Sequence, residues 1–128
     1  MVAWTDYKEM AKSRGALALE LYVVESTPQK SPADVKDSLL AHLDYQRDLE
    51  MRGILVLAGP MSDPTGEIMV GAGLIIYRAA SMSDARQLAE ADPMHQSGAR
   101  AFSLRKWLVN EGNVILNVGL STGKAVLS

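Results

Sequence analysis

The sequence contains no cysteine, which excludes disulfide bonds, thiolate metal ligands and a cysteine nucleophile. Aromatic residues make up only 5% of the chain and do not alternate with basic residues, so stacking on nucleic-acid bases is not indicated. The 13 basic and 15 acidic residues leave a net charge of −2, and lysine and arginine form no block. We therefore expect no nucleic-acid partner.

Long apolar runs are also missing, since the longest are as short as residues 54–58. A bilayer-spanning helix needs about 20 apolar residues, so we expect no membrane association. Residues 1–14 lack the apolar core of a signal peptide, and a cytoplasmic location is therefore expected. The 128 residues, 48% of them hydrophobic, fit one domain over 1–128. Within it we predict a leading helix over 3–13 and a C-terminal arm over 112–128.

Two serine-initiated segments predict the main helices. Ser31 and Ser81 are each followed three residues later by aspartate, a spacing that is typical of a helix start. The first helix should run to about Met51, because Gly53 stops it, and the second should end before Pro93. Alternating or β-branched apolar residues predict four strands, at 16–26, 54–58, 71–80 and 99–109. The second strand is expected to be central and to be broken by the Gly-Pro pair that follows it.

The order β-α-β-β-α-β predicts an α+β fold of the ferredoxin-like kind, a four-stranded antiparallel sheet with both helices on one face. The other face of such a sheet is left bare. In a subunit this small, a second copy packed sheet to sheet is the usual cover, and we therefore expect a homodimer. The apolar pieces at 114–118 and 125–127 could form an extra strand or an arm.

His42 is the first candidate for proton chemistry. It lies at helical spacing from Leu39 and Leu49, so it should point toward the core or into a cleft rather than at bulk water. Imidazole titrates near neutral pH and can act as a general acid or base when a second group orients the ring. Asp92 could supply that acceptor. The alternatives are a core-edge histidine bonded to the backbone and an aspartate that caps nearby amides.

Three more residues are candidates for the same site. His95 could be a second proton handler or donate a proton to a leaving group, or it could be an exposed loop histidine. Tyr45 lies one helical turn beyond His42 and could bind substrate, or it could pack against a neighbour. Ser62 lies in the loop after the second strand and could also bind substrate, or it could cap a turn.

Metal and cofactor sites find little support. Two histidines and one carboxylate are a known ligand set, but no His-x-x-x-His or His-x-His spacing is present, and we predict no metal. The Gly71-Ala72-Gly73 segment precedes a strand rather than a helix, unlike a dinucleotide-binding loop, so no cofactor is expected. The sequence contains no Gly-x-Ser-x-Gly motif, so a serine hydrolase is not indicated. Arg100 and Arg105 could hold an anionic substrate, although arginine side chains most often lie on the surface without such a role.

An ordered set of short segments from Leu17 to Trp107 resembles the YCII-related (YciI-like) family. The segments are His42-Leu43-Asp44-Tyr45, Gly53 to Pro60, Ala91-Asp92-Pro93, Gly98 and Trp107. The sequence departs from the commoner pattern at Met94-His95, where an aromatic residue often follows Asp-Pro, and at Lys106, where proline often precedes the tryptophan. Its tail is also longer than usual.

The resemblance implies a dimeric α/β barrel built from ferredoxin-like subunits, with a small cleft that holds a His–Asp pair at His42 and Asp92. It further implies chemistry like that of a dehydrochlorinase acting on a chlorinated hydroxyhydroquinone, and a fold relationship to muconolactone isomerases. The leading hypothesis is thus a cofactor-free lyase or isomerase for a small aromatic or unsaturated metabolite. The alternatives are a non-catalytic small-molecule-binding or accessory module and a purely structural dimer.

Overall fold

The computed structural model describes residues 1–128. In chain order the elements are α1 (Trp4–Ser13), β1 (Leu19–Pro28), α2 (Pro32–Asp37), α3 (Leu39–Met51), β2 (Leu55–Ser62), β3 (Met69–Tyr77), α4 (Met82–Ala91), α5 (Pro93–Gln96), β4 (Arg100–Val109), β5 (Leu116–Val118) and β6 (Ala125–Leu127). The chain divides into two compact units, one formed by residues 20–107 and the other by residues 1–19 and 108–128. No helix has the length and apolar character that crossing a membrane requires.

The larger unit is built on a four-stranded sheet with the order β2-β3-β1-β4. β1 and β3 pair antiparallel with Tyr22 opposite Tyr77, and β2 pairs antiparallel with β3. Together with the helices between the strands, this order confirms the predicted ferredoxin-like α+β plait. The dimeric barrel stays a prediction.

One face of this sheet carries the hydrophobic core. Period-two alternation along β1 buries Tyr22 and Val24, and the helices cover them with Leu49 of α3 and with Ala85 and Ala89 of α4. The two alanines let α4 approach the sheet closely. The same alternation places Ser26 on that face, and its side chain is almost completely buried. A polar group at such a position needs a hydrogen-bond partner.

The second strand differs from its prediction in both length and position. β2 continues through Gly59 and Pro60, which lie opposite Leu74 and Gly73 of β3, and it occupies the edge of the sheet. The expectations of a central strand and of a break at the Gly-Pro pair were therefore wrong. Because proline lacks an amide hydrogen, it is accommodated on an edge strand, where one side of the backbone needs no partner.

The predicted first long helix is interrupted at Ser38, between α2 and α3. The Ser38 amide donates to the carbonyl of Val35 only three residues back, while the His42 amide returns to the α-helical pattern by donating to Ser38. Ser38 Oγ also lies 3.2 Å from Ser97 Oγ, beside α5. The interruption thus begins a new helix, α3, whose first turn carries His42.

The smaller unit contains α1 and a two-stranded hairpin. α1 lies within the predicted leading helix 3–13 and is followed by Gly15 in a left-handed conformation. The two apolar pieces of the tail pair antiparallel as β5 and β6.

The first strand begins at Leu19 rather than at residue 16, because the preceding Ala18 has a φ of 51°, which an extended strand does not adopt.

Candidate active site

Asp92 occupies the junction between α4 and α5. Its extended backbone ends α4, and Pro93 after it begins α5, since proline suits the first position of a helix. The carboxylate caps α5 by accepting a hydrogen bond of 3.0 Å from the Met94 amide. The side chain is fully buried, so this charge depends on hydrogen bonds from the protein rather than from water.

His42 supplies the other contact to that carboxylate. Its Nδ1 lies 2.8 Å from both Asp92 Oδ1 and Asp92 Oδ2, and its side chain is 15% exposed. An ionised carboxylate can only accept hydrogen bonds, so Nδ1 carries the proton and, in the neutral ring, Nε2 carries the lone pair. Nε2 bonds to no protein atom. The arrangement therefore presents an oriented imidazole with one nitrogen free to take a proton.

His95 lies near this pair but is engaged at both ring nitrogens. Nδ1 lies 2.7 Å from the Ala89 carbonyl, Nε2 lies 2.8 Å from Ser26 Oγ, and the ring packs against Phe102 at a centroid distance of 4.8 Å. Burial lowers the pKa of His95 below its ordinary value, against the opposing effects of the Ala89 carbonyl and the Asp92 charge. His95 is consequently favoured as a neutral ring.

Ser26 and Arg100 complete this buried network. Arg100 Nε donates to Ser26 Oγ at 2.8 Å, and the guanidinium also donates to the backbone carbonyls of Ser26 and Gly71. Arg100 thus binds protein atoms on β1 and β3. Sequence reasoning gave Ser26 no role, although a polar residue in phase with Tyr22 and Val24 on the core face of the first strand was a usable signal.

The two predicted substrate-binding residues are placed differently. Tyr45 Oη donates to the Leu88 carbonyl at 2.8 Å, and its pKa is raised mainly by burial and further by the Asp92 charge. Ser62 is the last residue of β2 rather than a loop residue, and its hydroxyl donates to the Asp63 carbonyl. No hydrogen bond joins Ser62 to His42 or Asp92, whereas Tyr45 lies on the same helix as His42.

Two further features delimit the site. A shallow depression of about 400 Å³ is lined by Tyr45, Leu88 and Ala91 together with Arg78 and Asp84, among others, and it includes neither His42 nor Asp92. The paired side chains therefore lie outside this depression. No group of three or more histidine, aspartate or glutamate side chains is arranged to hold a metal ion.

Residues 21–108 match the model of the YCII-related domain, and the chain therefore belongs to the YCII-related family. One curated relative is the uncharacterized protein YjpA of Bacillus subtilis (strain 168), 26% identical over 72 residues that cover 56% of this chain and 78% of YjpA.

A similar solved structure is the 5-chloro-2-hydroxyhydroquinone dehydrochlorinase TftG from Burkholderia phenoliruptrix AC1100, in complex with 2,5-dihydroxybenzoquinone. It has a TM-score of 0.54 and 22% identity, and the match covers 68% of this chain and 92% of that one. At this identity the likeness shows a shared fold.

Proposed function

We propose that this protein is a cofactor-free enzyme in which His42 removes or relays a proton during an elimination or isomerisation of a small aromatic or unsaturated metabolite. The observation that carries the proposal is the contact of His42 Nδ1 with both carboxylate oxygens of Asp92, which leaves Nε2 without a protein partner. A general base needs an oriented lone pair and a group that stabilises the charge it acquires, and this pair supplies both.

The buried carboxylate lies beside the ring on which positive charge would form during reaction. When Nε2 takes a proton, the ring becomes an imidazolium 2.8 Å from the fully buried Asp92 carboxylate. Hydrogen bonds that involve an ionised group are shorter and roughly twice as strong as those between neutral groups. The charge formed on His42 is thus compensated without movement of Asp92. In an isomerisation the same nitrogen returns the proton to the product, whereas in an elimination the leaving group departs with its bonding electrons and Nε2 releases the proton to solvent.

The class of substrate is inferred from family and fold. TftG is named as a dehydrochlorinase of a hydroxyhydroquinone, and elimination of HCl from such a ring begins or ends with the movement of a proton. Tyr45 and Ser62 remain the proposed substrate-binding residues; to meet a ligand, the Tyr45 hydroxyl would have to exchange its bond to the Leu88 carbonyl for one to the substrate. The proposal includes a homodimer, and small-molecule binding without turnover is the alternative function.

The experiment is a screen in heavy water. Chlorinated hydroquinones, unsaturated lactones and 2,5-dihydroxybenzoquinone are each incubated with the protein, and mass spectrometry follows both product formation and deuterium incorporation. A base that abstracts a carbon-bound proton exchanges it with solvent, so turnover or incorporation above the protein-free rate is expected for at least one compound. The same compounds with Asp92→Asn should show the activity strongly reduced.

The exposed Asp44→Asn change on α3 is the matched control, because it makes the same substitution at a carboxylate that faces solvent. It should behave as wild type. If a compound binds and is neither converted nor exchanged, the non-catalytic binding module takes the place of the enzyme. Activity that survives Asp92→Asn unchanged would contradict the proposed mechanism.

A further inference from the structure

When His95 is neutral, the hydrogen bonds around its ring have only one consistent direction. The Ala89 carbonyl can only accept, so His95 Nδ1 carries a proton, and Arg100 Nε can only donate, so Ser26 Oγ accepts from it. The single hydroxyl proton of Ser26 is then left to donate to Nε2 of a neutral His95, 2.8 Å away. Arg100 cannot turn away from Ser26 without abandoning its bonds to the carbonyls of Ser26 and Gly71.

A proton added to His95 Nε2 would disturb this chain. Ser26 Oγ would then face two donors, the imidazolium and the Arg100 guanidinium, and its own hydroxyl proton would need a new acceptor. The charged groups around His95 are Arg100 on β4, His42 on α3 when it is protonated, and Asp92 at the end of α4, and only the last would favour a charged ring. Burial is the largest influence on the ring and favours a neutral His95, as do Arg100 and a protonated His42, against the Ala89 carbonyl and Asp92.

The same chain connects the sheet with the residue that orients the base. His95 belongs to α5, which follows Asp92, and Ala89 belongs to the last turn of α4, which precedes it. The hydrogen bond from His95 Nδ1 to the Ala89 carbonyl therefore links the two helices across Asp92. Through Ser26 and Arg100 this junction is joined to β1 and β4. A displacement of the junction would move the carboxylate relative to His42, whose Nδ1 contacts depend on it.

We infer that Ser26 and Arg100 are positioning residues that hold His95 as one neutral tautomer, and that His95 in this form fixes the α4–α5 junction so that the Asp92 carboxylate stays in contact with His42 Nδ1. The kinetic consequence rests on the function proposed above. The structural consequence does not, because the tautomer and titration of His95 can be measured without a substrate. The predicted role of His95 as a second proton handler is the competing assignment.

The test is ¹⁵N NMR of the two imidazoles across pH in wild type and in Ser26→Ala. In wild type, neutral His95 should carry its proton on Nδ1. In Ser26→Ala the neutral ring loses its donor at Nε2, so the titration midpoint of His95 should move to higher pH, and the Nδ1 proton signal of His42 should shift as its contact with Asp92 loosens. Ser97→Ala is the matched control for the His95 midpoint, which it should leave unchanged, because Ser97 also adjoins α5 but does not bond to His95.

Arg100→Lys is the second variant, should Ser26→Ala fail to fold; it keeps the positive charge and removes the Nε donor, and the His95 midpoint should again rise. An unchanged midpoint in folded Ser26→Ala, or a wild-type His95 protonated on Nε2, would overturn the inference. With an active substrate, Ser26→Ala should lower kcat and leave KM near its wild-type value. If no substrate is ever turned over but the NMR shifts occur as stated, the proposed function fails and the positioning role stands.

Discussion

Replacing Asp92 with asparagine separates the charge of the carboxylate from its shape. The amide oxygen can still accept from the Met94 amide, but an NH2 group now stands where Oδ2 lies 2.8 Å from His42 Nδ1. Two donors cannot face each other at that distance. The imidazole should therefore change tautomer, so that Nδ1 accepts from the amide and the proton moves to Nε2, the nitrogen that acts as the base in the proposed reaction.

The expected cost in stability follows from the bonds that change. Hydrogen bonds to a charged group contribute about 1.5–3 kcal/mol and neutral ones about 0.5–1.5 kcal/mol, so Asp92→Asn should lower the free energy of unfolding by about 1–2 kcal/mol. Asp92→Ala leaves the Met94 amide and His42 Nδ1 without an acceptor, each at a cost of about 1–3 kcal/mol. Wild type should thus be the most stable and the alanine variant the least.

Chemical denaturation gives the unfolding free energies, and long-range ¹H–¹⁵N correlation of the imidazole gives the tautomer. Asp44→Asn, with its exposed side chain, should stay within about 0.5 kcal/mol of wild type, as surface substitutions usually do. Two results would refute the reasoning: a His42 that keeps its proton on Nδ1 in Asp92→Asn, or an alanine variant that is as stable as the asparagine variant.

Three further outcomes are expected. Tyr77 is fully buried and its hydroxyl has no hydrogen-bond partner, so Tyr77→Phe should leave the denaturation midpoint unchanged or raise it; a loss above about 1 kcal/mol would reveal a missing partner. Burial lowers the pKa of His95 below 6.5, so the contribution of this residue to stability is fully present above that pH and is lost as the pH falls through the folded-state pKa. His95→Gln should therefore lose less stability than wild type on acidification. An equal loss in the two proteins would show that the protonation of His95 is not the cause. Sedimentation at micromolar concentration should show a dimer, and a folded monomer there would exclude the obligate homodimer.

Much of the architecture was predictable because local chemistry and global fold agree. The Ser81 cap, the stop of α4 before Pro93 and the alternation along β1 are each encoded within a few residues. The place of β2 in the sheet was not, because a short continuous apolar run is more typical of a central strand, whereas this one lies at the edge. Pro60 carried the relevant information, since its missing amide hydrogen suits an edge strand.

The candidate site was predictable in its central pair and not in its surroundings. The helical spacing of His42 and the helix-terminating Asp92 could be read from the sequence and from the family resemblance, and the structure brings the two side chains into contact. The engagement of His95 by Ser26 and Arg100 joins residues about 70 positions apart, and hydrogen bonds of this kind leave no local periodicity.

The most direct test of the central claim is the kcat of His42→Gln on a substrate found in the screen, relative to wild type. Gln can keep a hydrogen bond to Asp92 but cannot take a proton, so kcat should fall by roughly two to four orders of magnitude, the usual share of general acid–base catalysis. The free energy of unfolding should change by no more than about 1–2 kcal/mol, a common range for a single substitution. Turnover that is as fast with glutamine as with histidine would contradict the assignment of His42 as the base.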